Sequence, residues 1–189
     1  MDAPPTPSQT IGPFFAVLLP LGGNQLIAPG SPGAIVIEGR VFDGAGDPVA
    51  DAVVETWQAG PDGHYAHPED PGHDGIGPGG DFTGFGRCHT DAEGRFSFVT
   101  LKPGVVPGWD ERNQAPHINL SVFARGMLRR LTTRIYFPDE RHANERDPVL
   151  ASIDDAGRRE LLVAQPAGPG RLTFDIRLQG EKETPFFAV

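Results

Sequence analysis

Residues 115–126 read Ala-Pro-His-Ile-Asn-Leu-Ser-Val-Phe-Ala-Arg-Gly. From His117 onward, Ile118, Leu120, Val122 and Ala124 alternate with His117, Asn119 and Ser121, the period-two pattern of a strand with one face in a core and one polar face. Two imidazoles at i and i+2 of such a strand point the same way and can share one metal ion. His117 fills the first of those positions, but Asn119, a poor ligand, fills the second. On this stretch alone, His117 reads first as a strand histidine hydrogen-bonded to backbone, with metal binding as the alternative.

Working outward, Arg129 to Phe137 forms the expected antiparallel neighbour, stopped by Pro138-Asp-Glu140. On the other side, a loop from Val105 to Pro116 follows a run at Arg95 to Leu101, in which Phe96, Phe98 and Thr100 share a face. Earlier runs at Ala34 to Phe42, Ala52 to Ala59 and Gly86 to Thr90 end in Gly/Asp/Pro turns. A last run, Arg171 to Gln179, alternates Leu172, Phe174, Ile176 and Leu178. Pro68 to Gly86 is rich in Gly, Pro and Asp and reads as a long surface loop anchored by Phe82 and Phe85. Helix signals are short, at Glu140 to Asn144 and Asp154 to Leu162. About eight short strands with regular turns predict an all-β, antiparallel β-sandwich. Residues 1–33 read as an extended N-terminal arm and residues 34–189 as the sandwich domain. In the arm, the Thr10 hydroxyl and the open backbone at Gly12 and Pro13 can approach a ligand closely.

The 189 residues suit one domain, and 25 Gly with 20 Pro fit a turn-rich β protein. A net charge of −9 disfavours a nucleic-acid partner, which needs clustered Lys and Arg. The single cysteine, Cys88, cannot form an internal disulfide, and the N-terminus lacks a basic segment followed by an apolar one, so a cytoplasmic location is expected. No apolar run approaches the roughly 18 to 20 residues that span a bilayer, so no membrane association is expected. There is no Gly-rich phosphate loop before a helix, no nucleophile elbow and no cysteine pair for zinc.

Several motifs, in order along the chain, resemble the intradiol ring-cleavage dioxygenase family. They are Thr6-Pro-Ser-Gln-Thr-Ile-Gly-Pro-Phe14, Val54-Glu-Thr-Trp-Gln-Ala59 with Gly63-His-Tyr65, Gly86-Arg87 with Thr90-Asp91, and Lys102-Pro-Gly104. Ala115 to Gly126, Thr133-Arg-Ile-Tyr-Phe137 and Phe174-Asp-Ile-Arg-Leu-Gln-Gly180 complete the set. The resemblance covers essentially the whole chain.

Members with an active centre hold Fe(III) with two tyrosines and two histidines, a ligand set suited to a catechol. Tyr65 and His117 match two of those positions, whereas Val106 and Asn119 stand at the other two. The resemblance therefore implies no iron on this chain, and Tyr65 and His117 as remnants of a metal site. Tyr136, the only other tyrosine, reads as a structural residue of its strand. The implied setting is a higher-order oligomer with a related beta subunit that carries the Fe(III) cofactor and the chemistry. This chain would then complete the wall of the pocket in which O2 cleaves protocatechuate (3,4-dihydroxybenzoate) to 3-carboxy-cis,cis-muconate. Arg125 maps to a substrate-carboxylate position, where a planar guanidinium fork suits the ligand. Thr10, Gly12, Pro13 and Phe14 map to the part of the arm that reaches the pocket.

Two other readings remain. One is a homomeric ring-cleavage enzyme with an altered iron site built from Tyr65, His117 and either His89 or His64. The other is a non-catalytic, transthyretin-like binding module. An isolated chain lacking its partner is also expected to aggregate through an uncovered apolar face.

Overall fold

The computed structural model describes residues 22–70, 72, 82–108 and 112–188. Within them the chain runs β1 (Ala34–Phe42), β2 (Val53–Gln58), β3 (Phe85–His89), β4 (Arg95–Leu101), β5 (His117–Phe123) and β6 (Leu131–Tyr136). Three short helices follow, α1 (Arg141–Asn144), α2 (Pro148–Ala151) and α3 (Ala156–Glu160). The chain closes with β7 (Gln165–Gly168), β8 (Arg171–Thr173) and β9 (Ile176–Arg177).

The strands form two facing sheets. One has the order β3-β2-β5-β6, all antiparallel; the other runs β4-β1-β8-β7, with β9 also on β1. Ile37, Val41, Phe96 and Phe98 from the second sheet meet Val54, Ile118, Leu120, Val122 and Ile135 from the first in one buried cluster. Ile118, Leu120 and Val122 are each at most 1% exposed, and burying a side chain of this kind contributes about 1.5 to 3 kcal/mol. The alternation in β5 therefore fixes its register: a slip by one residue would put His117, Asn119 and Ser121 in the core. Gln58 ties the sheets together, accepting from the Thr100 hydroxyl at 2.8 Å and donating to the Leu101 carbonyl at 2.9 Å.

The sandwich holds as expected, with corrections of detail. β8 and β9 run parallel to β1, so that sheet is mixed rather than purely antiparallel. The expected strand from Arg171 to Gln179 is broken between Thr173 and Ile176, where the Asp175 carboxylate takes the Arg40 amide at 3.0 Å. Gly39 makes this join possible, since a Cβ there would overlap the Phe174 carbonyl oxygen. Phe82 is buried as an anchor, but Phe85 begins β3 and is 42% exposed on the outer face, opposite Trp57. Helix α2 was not expected. The Asp147 side chain caps it by accepting from the Val149 and Leu150 amides, and Pro148 occupies its first turn.

Residues 1–21 lie outside the described residues. Those that follow lie on β4: Val99 N donates to Asn24 O, and Leu26 N donates to Val99 O, both at 2.8 Å.

Candidate functional site

Cross-strand register puts Phe85, Trp57, Asn119 and Arg134 in one row across the outer face of the four-stranded sheet, with His117 beside Tyr136 in the next row. Tyr65 arrives from the loop after β2 and stacks on Trp57, ring centroids 5.7 Å apart and 14° between planes. Asp70 shapes that loop: its carboxylate accepts from the Tyr65 amide at 2.8 Å and meets the His64 ring at 2.9 Å. Val106 is drawn in by a backbone bridge to Gln114, with hydrogen bonds of 3.1 and 2.8 Å.

The fold thus brings Tyr65, from the loop after β2, and His117 and Asn119, from β5, near Arg134, and links Val106 to it through Gln114. The Arg134 Nε donates to Asn119 Oδ1 at 3.0 Å and its Nη1 to Gln114 Oε1 at 2.8 Å, with Tyr136 OH a further partner at 3.3 Å. Asn119 also donates to the Trp57 carbonyl at 3.2 Å. Behind Arg134, the Tyr136 hydroxyl donates to the fully buried Asp147 at 3.0 Å. The Ala115 amide also bonds Asp147, at 2.8 Å. Two of the acceptors around the cation are thus tied further, Asn119 to the Trp57 carbonyl and Tyr136 to Asp147.

Electrostatics follow from this packing. Burial raises the Tyr65 and Tyr136 phenols above their ordinary range, and the Arg134 charge pulls both part of the way back. His117, 1% exposed, is pushed down to about 4, chiefly by burial and then by Arg134. It is neutral near pH 7, and its Nδ1–H donates to the Ala115 carbonyl at 2.7 Å. Its Nε2 is buried with no partner among the described residues. The reading of His117 as a strand histidine bonded to backbone therefore holds, and the tautomer is one that leaves Nε2 as a lone pair.

The donor set does not fit a ferric ion. Val106 offers no donor atom, Asn119 has its carboxamide committed to Arg134 and Trp57, and a guanidinium sits among the remaining groups. Nor is the altered set assembled. His89 pairs with Val53 in the row of Phe123, four residues or roughly 13 Å along the sheet from Asn119, and His64 is held by Asp70. Among the described residues, no group of three or more His, Cys, Asp and Glu side chains stands close enough to hold a metal.

Arg125 lies at the end of β5, outside this centre. It is 67% exposed along its side chain and pairs with Asp51 at 2.8 Å, a residue with a left-handed backbone (φ 64°). It borders an open cleft of about 480 Å³ together with Arg129, Met127 and Leu128, and Leu128 is 80% exposed. Thr10, Gly12, Pro13 and Phe14 lie outside the described residues. Arg134, Gln114 and Asp147 were not singled out from the sequence. The available signal was that Arg134 shares the polar face of its strand with Thr132 and Tyr136, next to a histidine position that had lost its partner.

A two-sheet sandwich with Tyr65, His117 and Asn119 assembled on the outer face of one sheet defines a class, and comparison with known proteins agrees. A family model described as Dioxygenase matches residues 24–180, and the chain belongs to the intradiol ring-cleavage dioxygenase family. Within it, the chain is 41% identical to the protocatechuate 3,4-dioxygenase alpha chain of Pseudomonas putida, over 97% of this chain and 96% of that one. The beta chain from Burkholderia cepacia is 37% identical over 80% of this chain and 66% of its own length. Among solved structures, the dioxygenase domain of a dioxygenase carbohydrate-binding protein fusion from Streptomyces sp. SirexAA-E superposes with a TM-score of 0.57 at 29% identity. It covers 94% of this chain and 99% of that one. No helix among the described residues is long and apolar enough to cross a membrane.

Proposed function

We propose that this chain is the alpha subunit of a protocatechuate 3,4-dioxygenase. A related beta subunit holds the Fe(III), and this chain walls the pocket. Held by the partner, Fe(III) would supply the Lewis-acid and redox chemistry that a catechol and O2 need, and this chain would bind and orient the substrate. Both oxygen atoms enter 3,4-dihydroxybenzoate, the bond between its hydroxylated carbons breaks, and 3-carboxy-cis,cis-muconate results.

One observation carries this reading. Two positions at which the family places ligands hold Val106 and Asn119, and a guanidinium is bonded to Asn119 and to Gln114, the backbone partner of Val106. A chain that retains the fold without the metal chemistry, and matches alpha chains along nearly its whole length, is a supporting subunit.

Arg125 is the substrate-carboxylate residue in this reading. Its partner Asp51 is a surface neighbour, and an exposed pair of this kind contributes little, about 0 to 1 kcal/mol, so the fork is free to turn to a carboxylate. In this reading the arm, residues 1–33, would bring Thr10, Gly12 and Pro13 to the same pocket, its later residues 24–26 being tied to β4 of the sandwich, residues 34–189. A cytoplasmic setting suits the lone, half-buried thiol of Cys88.

The test is co-expression with the iron-bearing subunit from the same source. The two chains should co-purify and convert 3,4-dihydroxybenzoate to 3-carboxy-cis,cis-muconate, identified by mass. Chains that purify apart, or a partner fully active and stable alone, would refute it.

A further inference from the structure

The geometry points to Arg134 as the resident cation of this centre, a guanidinium that takes over the structural work of a metal ion and bars a metal from entering. The inference deepens the iron-free reading above and rests on it.

Three observations converge. Arg134 bonds Asn119 and Tyr136 directly and reaches Val106 through Gln114, which Val106 pairs by backbone. Its charge also reaches Tyr65 and His117, so one cation bonds or lies near three of the four positions at which the family places iron ligands, and Gln114 links it to the fourth. A metal would do the same by coordination.

The counter-charge is built in. Arg134 Nη1 and Tyr136 OH lie 3.3 Å apart, and the Tyr136 hydroxyl donates to Asp147 at 3.0 Å. Asp147 is in turn held by the amides of Ala115, Val149 and Leu150. The positive charge therefore sits at the mouth of a hydrogen-bonded path to a buried carboxylate. Arginine is a fixed cation with a rigid fork of donors and no acceptor, so it cannot be neutralised to admit an ion.

The third observation is His117 Nε2, a buried nitrogen with no partner among the described residues. An unpaired buried acceptor normally costs stability and would be expected to find a proton or a donor. Here Nδ1 is already given to the Ala115 carbonyl, and Nε2 is left as a lone pair with no donor facing it among the described residues. This is what a metal site looks like after its ion has been exchanged for a side chain.

The test restores the ligands with and without the cation, in the complex with the iron-bearing partner. Val106→Tyr with Asn119→His should leave iron at the level of the wild-type complex. Adding Arg134→Gln should bring a second equivalent of ferric iron per pair, with a stronger visible phenolate-to-iron band, and His117→Ala should remove it again. A second equivalent already present in the double variant, or none in a folded triple variant, overturns the inference.

Because the triple variant can fail to fold, melting of the complex with single substitutions provides a second arm. Arg134→Gln should lower the midpoint, and Arg134→Lys, which keeps the charge, should recover part of the loss. Equal midpoints for Gln and Lys overturn it. Iron bound by this chain in the wild-type complex would instead sink the iron-free reading itself, so the two failures are distinguishable.

Discussion

Arg134 Nε donates to Asn119 Oδ1 at 3.0 Å across adjacent strands, at a position where the family's pattern places a histidine. Asn119 answers the cation with a carbonyl oxygen and turns its amide to the Trp57 carbonyl. Replacing it with Leu removes both partners while keeping similar bulk. The expected loss is roughly 1 to 3 kcal/mol, because a half-buried guanidinium loses an acceptor. Asn119→Asp, which offers Arg134 a carboxylate, should lose much less. Denaturant unfolding of the two variants checks this; equal stabilities would contradict it.

Arg125→Ala should leave the iron content of the complex unchanged and raise KM for 3,4-dihydroxybenzoate. A charge-assisted hydrogen bond is worth about 1.5 to 3 kcal/mol, so kcat/KM should fall roughly 10- to 100-fold. Arg125→Lys should fall between the two. Steady-state oxygen uptake reads the effect, and an unchanged kcat/KM would remove Arg125 from the pocket.

Asp147 accepts from the amides of Ala115, Val149 and Leu150 and from the Tyr136 hydroxyl, all while fully buried. Asp147→Ala strands four donors at once, and a loss of about 3 kcal/mol or more is expected. The melting midpoint should drop accordingly, further than for any exposed carboxylate. A shift within the scatter of surface variants would show that the path behind Arg134 is not structural.

His117 gives the fold a pH dependence with a definite sign. Its folded value is about 4 against 6.5 when unfolded, so between those limits the unfolded chain binds a proton that the folded chain does not. Its contribution is complete above about pH 6.5 and is lost as pH falls towards 4, by roughly 3 kcal/mol in total. His89, also depressed by burial, acts in the same direction. His117→Gln should flatten the stability profile between pH 4 and 6.5, as measured by unfolding across that range. A profile as steep as wild type would assign the effect elsewhere.

The parts of the fold legible in the sequence are those set by local alternation. Ile118, Leu120 and Val122 declare the buried face of β5, and Phe96 and Phe98 do the same for β4, because the period-two signal lies within each strand. Pairing direction does not. Leu172 and Ile176 alternate as cleanly on strands parallel to β1 as they would on antiparallel ones, and the break at Asp175 depends on an amide 135 positions away. Phe85 was misplaced because its Gly-rich surroundings read as loop, whereas its partner Trp57 makes it a strand residue.

At the site, the placement of Val106 and Asn119 at ligand positions comes from the resemblance to the family and not from the chain's own pattern. Arg134 could be read from neither, since its role exists only through the register that sets it against Asn119. Gly39 is similar: nothing local marks it as the point where the Phe174 carbonyl approaches β1.

The central claim is that this chain supports a metal centre held by a partner. The most direct test is iron content and visible spectrum of this chain expressed alone and co-expressed with the iron-bearing subunit, with oxygen uptake on 3,4-dihydroxybenzoate for each. The account predicts colourless, inactive material alone and a coloured, active complex. Stoichiometric iron, a phenolate band and activity in this chain alone would contradict it.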